Sequence, residues 1–459
     1  MLREWQSECS ERALEKYQSN GSHFFCQATP GAGKTVLAAN IALRLLKSDM
    51  VDLVLCFSPS LTVSDGIKRT FSSLLNCTFN GGMGSIGQSL TYQSIQFLND
   101  EFWQILRNHR VFVVFDEIHH CSGSDVENAN IWGQQVLTKI QELATFTLAL
   151  SGTPWRSDSL PIVMGEYSDP DGQLLVDYQY TLKQAIADGV CRTPKIALID
   201  NEHLSISSSE KVESFSSILE MLKQTKASYQ SVIHNQEAME YLLGLGCERL
   251  AKVRLGSPNA GGLIVAASVQ HAQTIKETLS QKFGQTVSIV TYRHEEPLVE
   301  IERYRQSDVQ WIVSVGMISE GTDIPRLQVC CHMSSVKTEL YFRQVLGRIL
   351  RVNNTINQQA WLFTFAEPSL IEFAERIEQD IPESCLYVNM VKPIEAEFSG
   401  RRNNLSAKHS FESQNSERKA VSWGSSTDSS NSLYGTLGAF DELRLGAFKQ
   451  RVISAFSSM

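Results

Sequence analysis

The segment Ala28-Thr29-Pro30-Gly31-Ala32-Gly33-Lys34-Thr35 constrains this chain more than any other. It follows the apolar Phe24-Phe25-Cys26 and opens a helical pattern through Val36-Leu37-Ala38-Ala39-Asn40-Ile41-Ala42-Leu43. A glycine-rich turn between a strand and a helix lets successive backbone N–H groups point inward, and the helix N-terminus adds a partial positive charge. Such a cradle suits phosphate. Thr29, Gly31 and Gly33 are expected to line it, with Lys34 at the β- and γ-phosphates of a nucleotide and the Thr35 hydroxyl on Mg²⁺. The strict pattern begins with Gly where this chain has Ala28, a small residue the position tolerates. Strand–turn–helix also implies a parallel α/β sheet, with ligands at the carboxyl ends of its strands.

The rest of the chain fits that frame. Short apolar runs at 51–57, 111–115 and 147–150 alternate with helical patterns, and the alternation resumes at 263–267, 287–290, 311–315 and 361–365. Residues 205–255 lack strand signals and read as a helical bridge, so two α/β lobes are expected, at 1–204 and 256–398. Past residue 399 the composition turns to Ser and Asn, which predicts a flexible tether over 399–432. Leu437, Phe440, Leu443 and Phe448 then predict a short amphipathic helix within 433–459, although Gly435, Gly438 and Gly446 weaken the pattern.

Two further constellations carry chemistry. Asp116-Glu117-Ile118-His119-His120 follows the apolar strand candidate at 111–115. Adjacent carboxylates at the end of a buried strand need a cation or water beside them. Asp116 is expected to hold Mg²⁺ and Glu117 to orient and deprotonate an attacking water. In Gln344-Val345-Leu346-Gly347-Arg348-Ile349-Leu350-Arg351, the two arginines are three apart and on a helix would share a face. Arginines so placed can neutralise charge developing on a γ-phosphate, with Gln344 beside them.

These motifs, in this order and in separate lobes, resemble superfamily 2 helicases, which are DEAD/DEAH-like, over about residues 1–370. The resemblance implies two tandem RecA-like lobes with ATP and Mg²⁺ in the cleft between them. Leu2-Arg3-Glu4-Trp5-Gln6 resembles the adenine-reading element, which implies that Gln6 bonds the adenine edge and Arg3 supports it. Phe57-Ser58-Pro59-Ser60 and Leu90-Thr91-Tyr92-Gln93-Ser94 resemble motifs that touch the nucleic-acid backbone, which implies contacts from Pro59, Ser60, Tyr92 and Gln93. Ser151-Gly152-Thr153-Pro154 resembles the coupling motif, and Ile264-Val265-Ala266-Ala267 resembles motif IV. Ser319-Glu320-Gly321-Thr322-Asp323 resembles motif V, implying Gly321 and Asp323 at the ribose and Thr322 at the nucleic acid. The Asp-Glu-x-His-His box and Glu-Gly-Thr-Asp-Ile-Pro segment are most similar to the branch of RadD, XPB and the restriction-enzyme helicase subunits.

The implied activity is an ATP-dependent helicase or translocase, on DNA rather than RNA by branch, in repair, restriction or phage defence. The alternative is an ATP-gated regulatory subunit of a partner nuclease or repair complex, because no nuclease constellation or Cys-rich zinc module is found here. Trp155-Arg156 could stack on a base, though packing is the expected use of such a Trp. Composition argues little either way. The net charge of −9 does not favour a nucleic-acid partner, yet local basic patches steer such binding. The ten cysteines form no Cys-x-x-Cys pair, and no apolar run is long enough for a membrane span, so a reducing cytoplasm is the expected compartment.

Overall fold

The computed structural model describes residues 2–123, 129–141, 143–154, 160–169, 172–207, 212–318, 322–353, 358–379 and 442–455. The chain folds as two α/β lobes, each built on its own sheet. The first sheet contains β1 (His23–Ala28), β2 (Leu53–Ser58), β3 (Gly87–Thr91), β4 (Val111–Asp116), β5 (Phe146–Ser151) and β6 (Tyr178–Tyr180). Its order is β3-β2-β4-β5-β1-β6, and every pairing is parallel. All six residues of β4 are buried, as expected of a strand covered on both faces. Helix α1 (Glu4–Gln18) buries Trp5, Cys9, Ala13, Leu14 and Tyr17, spaced at helical intervals, against this lobe.

The second sheet contains β7 (Thr193–Asn201), β10 (Gly261–Ala266), β11 (Val287–Thr291), β12 (Trp311–Val315), β13 (Leu327–Met333), β14 (Gln359–Phe365) and β16 (Phe448–Ser454). The order is β11-β12-β10-β13-β14-β7-β16, parallel except that β16 runs antiparallel to β7. Between β7 and β10, β8 (Leu204–Ser207) and β9 (Val212–Phe215) pair antiparallel, and β15 (Glu442–Leu445) joins β8.

Three expectations change. The first lobe was expected to run to residue 204, but β7 already belongs to the second sheet, paired with β14 from Thr193 to Ile199. The stretch at 205–255 is not purely helical, since it starts with the short β8 and β9. Its long helix α2 (Gln236–Gly256) packs on β13 and β14, which makes it a layer of the second lobe and not a bridge. The terminal amphipathic helix is also corrected. Within 442–455 the chain forms two strands, β15 and β16. The physical reason is visible in β15, where Leu443 and Leu445 are buried and Arg444 exposed, a period of two. Gly446 then turns the chain against His203, whose Cβ would lie 2.7 Å from any Cβ added there. The tether at 399–432 and residues 433–441 lie outside the described residues. Among the described residues no helix is long and apolar enough to cross a membrane.

Candidate nucleotide site between the lobes

Parallel register brings the first-lobe motifs together. Gln27 pairs with Ser151, and Asp116 with Leu150, so β4, β5 and β1 end side by side at the same level. The phosphate loop, the Asp-Glu box and Ser151-Gly152 therefore emerge next to one another. In the loop, Gly31 and Gly33 have φ of 86° and 99°, the left-handed region that glycine enters without a Cβ penalty. Helix α3 (Lys34–Lys47) starts at the loop, with Gly33 as its N-cap residue. Thr29 is buried, and Thr35 half-buried, in the helix's first turn.

Lys34 is 9% exposed, and its Nζ donates to the Ala28 carbonyl at 3.2 Å. The same ammonium lies 3.3 Å from Glu117 Oε1. Glu117 reaches it because its backbone is left-handed, φ 52° and ψ 53°, which is uncommon for a residue with a Cβ. Glu117 Oε2 accepts from the Gly152 N–H at 3.3 Å and lies 3.5 Å from His119 Nδ1. His119 Nδ1 is also 2.9 Å from Ser151 Oγ, which accepts from the Thr153 N–H at 3.1 Å. The carboxylate is thus wired to the segment at 151–154. Gly152 has a steric reason as well, since a Cβ there would stand 2.9 Å from Lys34 Nζ.

The N-terminal element is joined to the same loop. Arg3 Nη1 donates to the Ala32 carbonyl at 2.5 Å, and Gln6 Nε2 donates to the Gly33 carbonyl at 3.0 Å. Gln6 Oε1 accepts from the Arg3 N–H at 2.9 Å, and the Gln6 residue is buried. Both amide atoms of Gln6 are engaged, each with one hydrogen-bonding position to spare.

The second lobe meets this loop directly. A Cβ on Gly347 would lie 2.6 Å from Pro30 Cβ, and one on Gly31 would lie 3.3 Å from Arg351 Cγ. Cys191 Sγ sits 3.8 Å from the Pro30 carbonyl oxygen. Burial pushes the Cys191 thiol up to about 12, against the pull of Arg3, Arg351 and Lys34, which places three cations around this one junction. Gln344 is buried in helix α4 (Glu339–Ile349), and Arg348 close to its end. The two arginines do not share a helical face as expected. The helix ends at Ile349, and Arg351 lies beyond it in a β-bridge with Cys191. Arg348 Nη1 and Arg351 Nη1 converge on one acceptor, the Thr322 carbonyl, at 2.9 and 2.7 Å. Arg351 also pairs with the exposed carboxylate of Asp323.

The expected nucleic-acid residues scatter. Tyr92 is corrected, because it is fully buried, its hydroxyl donates to the Asp116 carbonyl at 2.9 Å, and its ring stacks on Trp132. Pro59 and Thr322 are buried, whereas Gln93 is exposed. Ser60 caps the helix at Leu61–Leu75, its hydroxyl accepting from the Val63 N–H. Gly321, Trp155 and Arg156 lie outside the described residues.

A family model for the res subunit of type III restriction enzymes matches residues 1–156. A fragment described as an HsdR subunit of a type I restriction enzyme from Vibrio vulnificus superposes with a TM-score of 0.54 at 16% identity, covering 82% of this chain and 66% of that one. The DNA 3'-5' translocase XPB2 of Sulfurisphaera tokodaii is 22% identical over 350 residues, 70% of this chain and 73% of its own. The chain is similar to superfamily 2 helicases of the restriction-enzyme and XPB branch, over its first lobe by family model and over both lobes by fold. It carries the two RecA-like lobes of those helicases. An uncharacterized protein of Mycobacterium leprae is 30% identical over 392 residues, 82% of this chain. The chain spans 64% of that relative's length.

Sequence reasoning missed Cys191 and Arg192, which stand at the entry to β7. Arg192 is fully buried and donates to carbonyls next to both second-lobe motifs. No motif spacing marks either residue, because their partners are backbone atoms far away in sequence.

Proposed function

We propose that the chain is an ATP-driven nucleic-acid motor, a helicase or translocase, acting on DNA. The observation that carries this reading is the junction of Lys34, Glu117 and Gly152 from one lobe with Gly347 and Arg351 from the other, across Pro30 and Gly31. Phosphates fit the cradle, because left-handed glycines and a buried ammonium face it. Thr35 and Asp116 are hard oxygen donors suited to Mg²⁺, which takes few protein ligands and completes its shell with phosphate oxygens and water. When bound, it neutralises charge on those oxygens.

The chain's own groups then divide the work. Lys34 binds the β/γ-phosphates, and Gln6 and Arg3 hold the loop at the adenine side. Glu117 accepts the proton of the attacking water, its position kept by the Gly152 N–H and its link to His119. Arg348 and Arg351 offset charge as the γ-phosphoryl transfers, while Asp323 stands near the ribose. Because the arginines come from the opposite lobe, hydrolysis is coupled to how the lobes meet. The XPB2 relative, a DNA translocase by name, supports DNA over RNA.

ATP hydrolysis measured with single-stranded DNA, duplex DNA, forked DNA and RNA tests the reading. Stimulation by DNA and not by RNA is expected. Hydrolysis unaffected by any nucleic acid would favour an ATP-gated subunit of a partner nuclease or repair complex, and stimulation by RNA alone would overturn the DNA assignment.

A further inference from the structure

We propose that Arg192 is a positioning residue that sets Arg348 and Arg351 against the phosphate loop, an inference that rests on the motor reading above. Arg192 opens the segment leading into β7, and it is 0% exposed. Its Nη1 donates to the Leu327 carbonyl at 2.7 Å and to the Ile349 carbonyl at 3.1 Å. Its Nη2 donates to the Pro325 carbonyl at 3.2 Å, and its backbone N–H to the Leu350 carbonyl at 2.6 Å. Pro325 and Leu327 follow directly after motif V, while Ile349 and Leu350 end the arginine-bearing helix. One planar guanidinium therefore ties the segment after motif V to the end of the arginine-bearing helix.

The neighbouring residue connects this tie to the other lobe. Cys191 bridges Arg351 and touches the Pro30 carbonyl. From Pro30 through Cys191-Arg192 to Thr322 and Arg351 there is one continuous set of contacts across the lobe junction. Among the described residues, all the hydrogen bonds of the Arg192 side chain run to carbonyls, and its Nε has no partner. A buried cation held this way is a costly device for stability alone, and apolar replacements of buried charges are often neutral or better. Burial accordingly pulls the guanidinium down to about 10. What the guanidinium supplies is a fork of fixed geometry spanning separate chain segments, which a lysine ammonium cannot reproduce.

Misplacement by about 1 Å at a distance from the chemistry can cost on the order of 10²-fold in rate. The full chain carrying Arg192→Met or Arg192→Lys should therefore lose roughly 10- to 100-fold in kcat for ATP. KM for ATP and affinity for ADP should stay near wild type, because the phosphate loop is intact. Affinity for ADP with aluminium fluoride, which mimics the transferring phosphoryl group, should fall. Amide hydrogen exchange over residues 322–327 and 349–351 should quicken in both variants. Wild-type kcat in either folded variant would overturn the proposal, and so would failure of both variants to fold, which would make Arg192 a folding residue only. Unchanged exchange in those two segments would overturn it whatever hydrolysis shows. Wild-type and Lys34→Ala proteins measured alongside keep the two readings apart. Absence of any Lys34-dependent hydrolysis would sink the motor reading, while the exchange data would still judge Arg192.

Discussion

Lys34, Glu117 and Gly152 reach the cleft from the ends of three adjacent parallel strands, whereas Arg348 and Arg351 reach it through carbonyls that other segments supply. On the first-lobe side, the register of Gln27 with Ser151 and Asp116 with Leu150 is enough to bring the motifs level. On the second-lobe side, Arg351 has left the helix, and its position depends on Thr322, Asp323 and Cys191. The first arrangement comes from sheet geometry, so it persists as long as the lobe is folded. The second depends on how loops and helix ends pack, so it can shift without unfolding anything. A motor that must couple chemistry to lobe movement would place its adjustable half on the second kind of support.

The largest effect should follow from breaking the rigid side. Lys34→Ala should leave no ATP turnover above background, because it removes the buried ammonium that the loop presents. The strands that position Lys34 are untouched, so the thermal unfolding midpoint should change little. Wild-type turnover in that variant would remove the loop from the chemistry altogether.

Next in size is the adjustable side. Arg351→Ala should cut kcat by on the order of 10³-fold or more, in the range found for arginines that complete a phosphoryl-transfer site. ATP affinity should stay within a few-fold, since the loop still binds the phosphates. Arg351→Lys should not rescue, because a compact point charge lacks the planar, delocalised guanidinium that matches a phosphoryl group. Full activity in either variant would mean that the second lobe does not complete the site, and the comparison between the two sides would collapse.

A third test concerns support from a distance. A chain ending at Asp441 loses β15 and β16, and with them the buried Leu443, Leu445 and Ile453. Each such side chain contributes roughly 1.5–3 kcal/mol of burial, partly offset by the entropy of ordering the strands. It also leaves β7 with an unpaired edge. The unfolding midpoint of the second lobe should drop by roughly 5–10 °C. First-lobe nucleotide binding, followed by ADP titration, should be unchanged. Equal loss of both would mean that the lobes do not respond separately.

The contrast also explains what could be read from the residues alone. The phosphate loop, the Asp-Glu box and the glutamine–arginine helix are contiguous, and each carries its chemistry in residue type and spacing. Strand–helix alternation was equally plain, because β4, β10 and β12 are apolar runs bounded by turns. The terminal strands were misread because Leu437, Phe440, Leu443 and Phe448 fit helical spacing, while the pairing with β8 that makes this stretch a strand lies far away in sequence. Sheet partners supplied from hundreds of residues away leave no local trace. For the same reason Arg192 was invisible, since its partners are carbonyls that every residue has. Gly33 and Gly152 were legible as glycines, but not the close approach of Gln6 Nε2 and Lys34 Nζ to them.

Tyr92 gives the smallest effect and the sharpest separation of two roles. Resemblance implied a contact with nucleic acid, yet the side chain is buried, and its hydroxyl satisfies the Asp116 carbonyl at the end of β4. Tyr92→Phe keeps the ring and its stacking on Trp132, 5.9 Å between centroids, and removes only the donor. A lost hydrogen bond of this kind costs about 0.5–1.5 kcal/mol. For a lobe of this size that is a fall of roughly 2–5 °C in the unfolding midpoint. That carbonyl belongs to Asp116 and links it to Glu117, so kcat should fall only a few-fold, if the strand end relaxes. Affinity for single-stranded DNA should not change at any salt concentration, because no charge or surface atom is altered. A Tyr92→Phe protein with native stability and weakened DNA binding would return Tyr92 to the nucleic-acid track. In that event the buried position would belong to only one arrangement of the lobe, and the first-lobe side of the cleft would be less rigid than its sheet register implies.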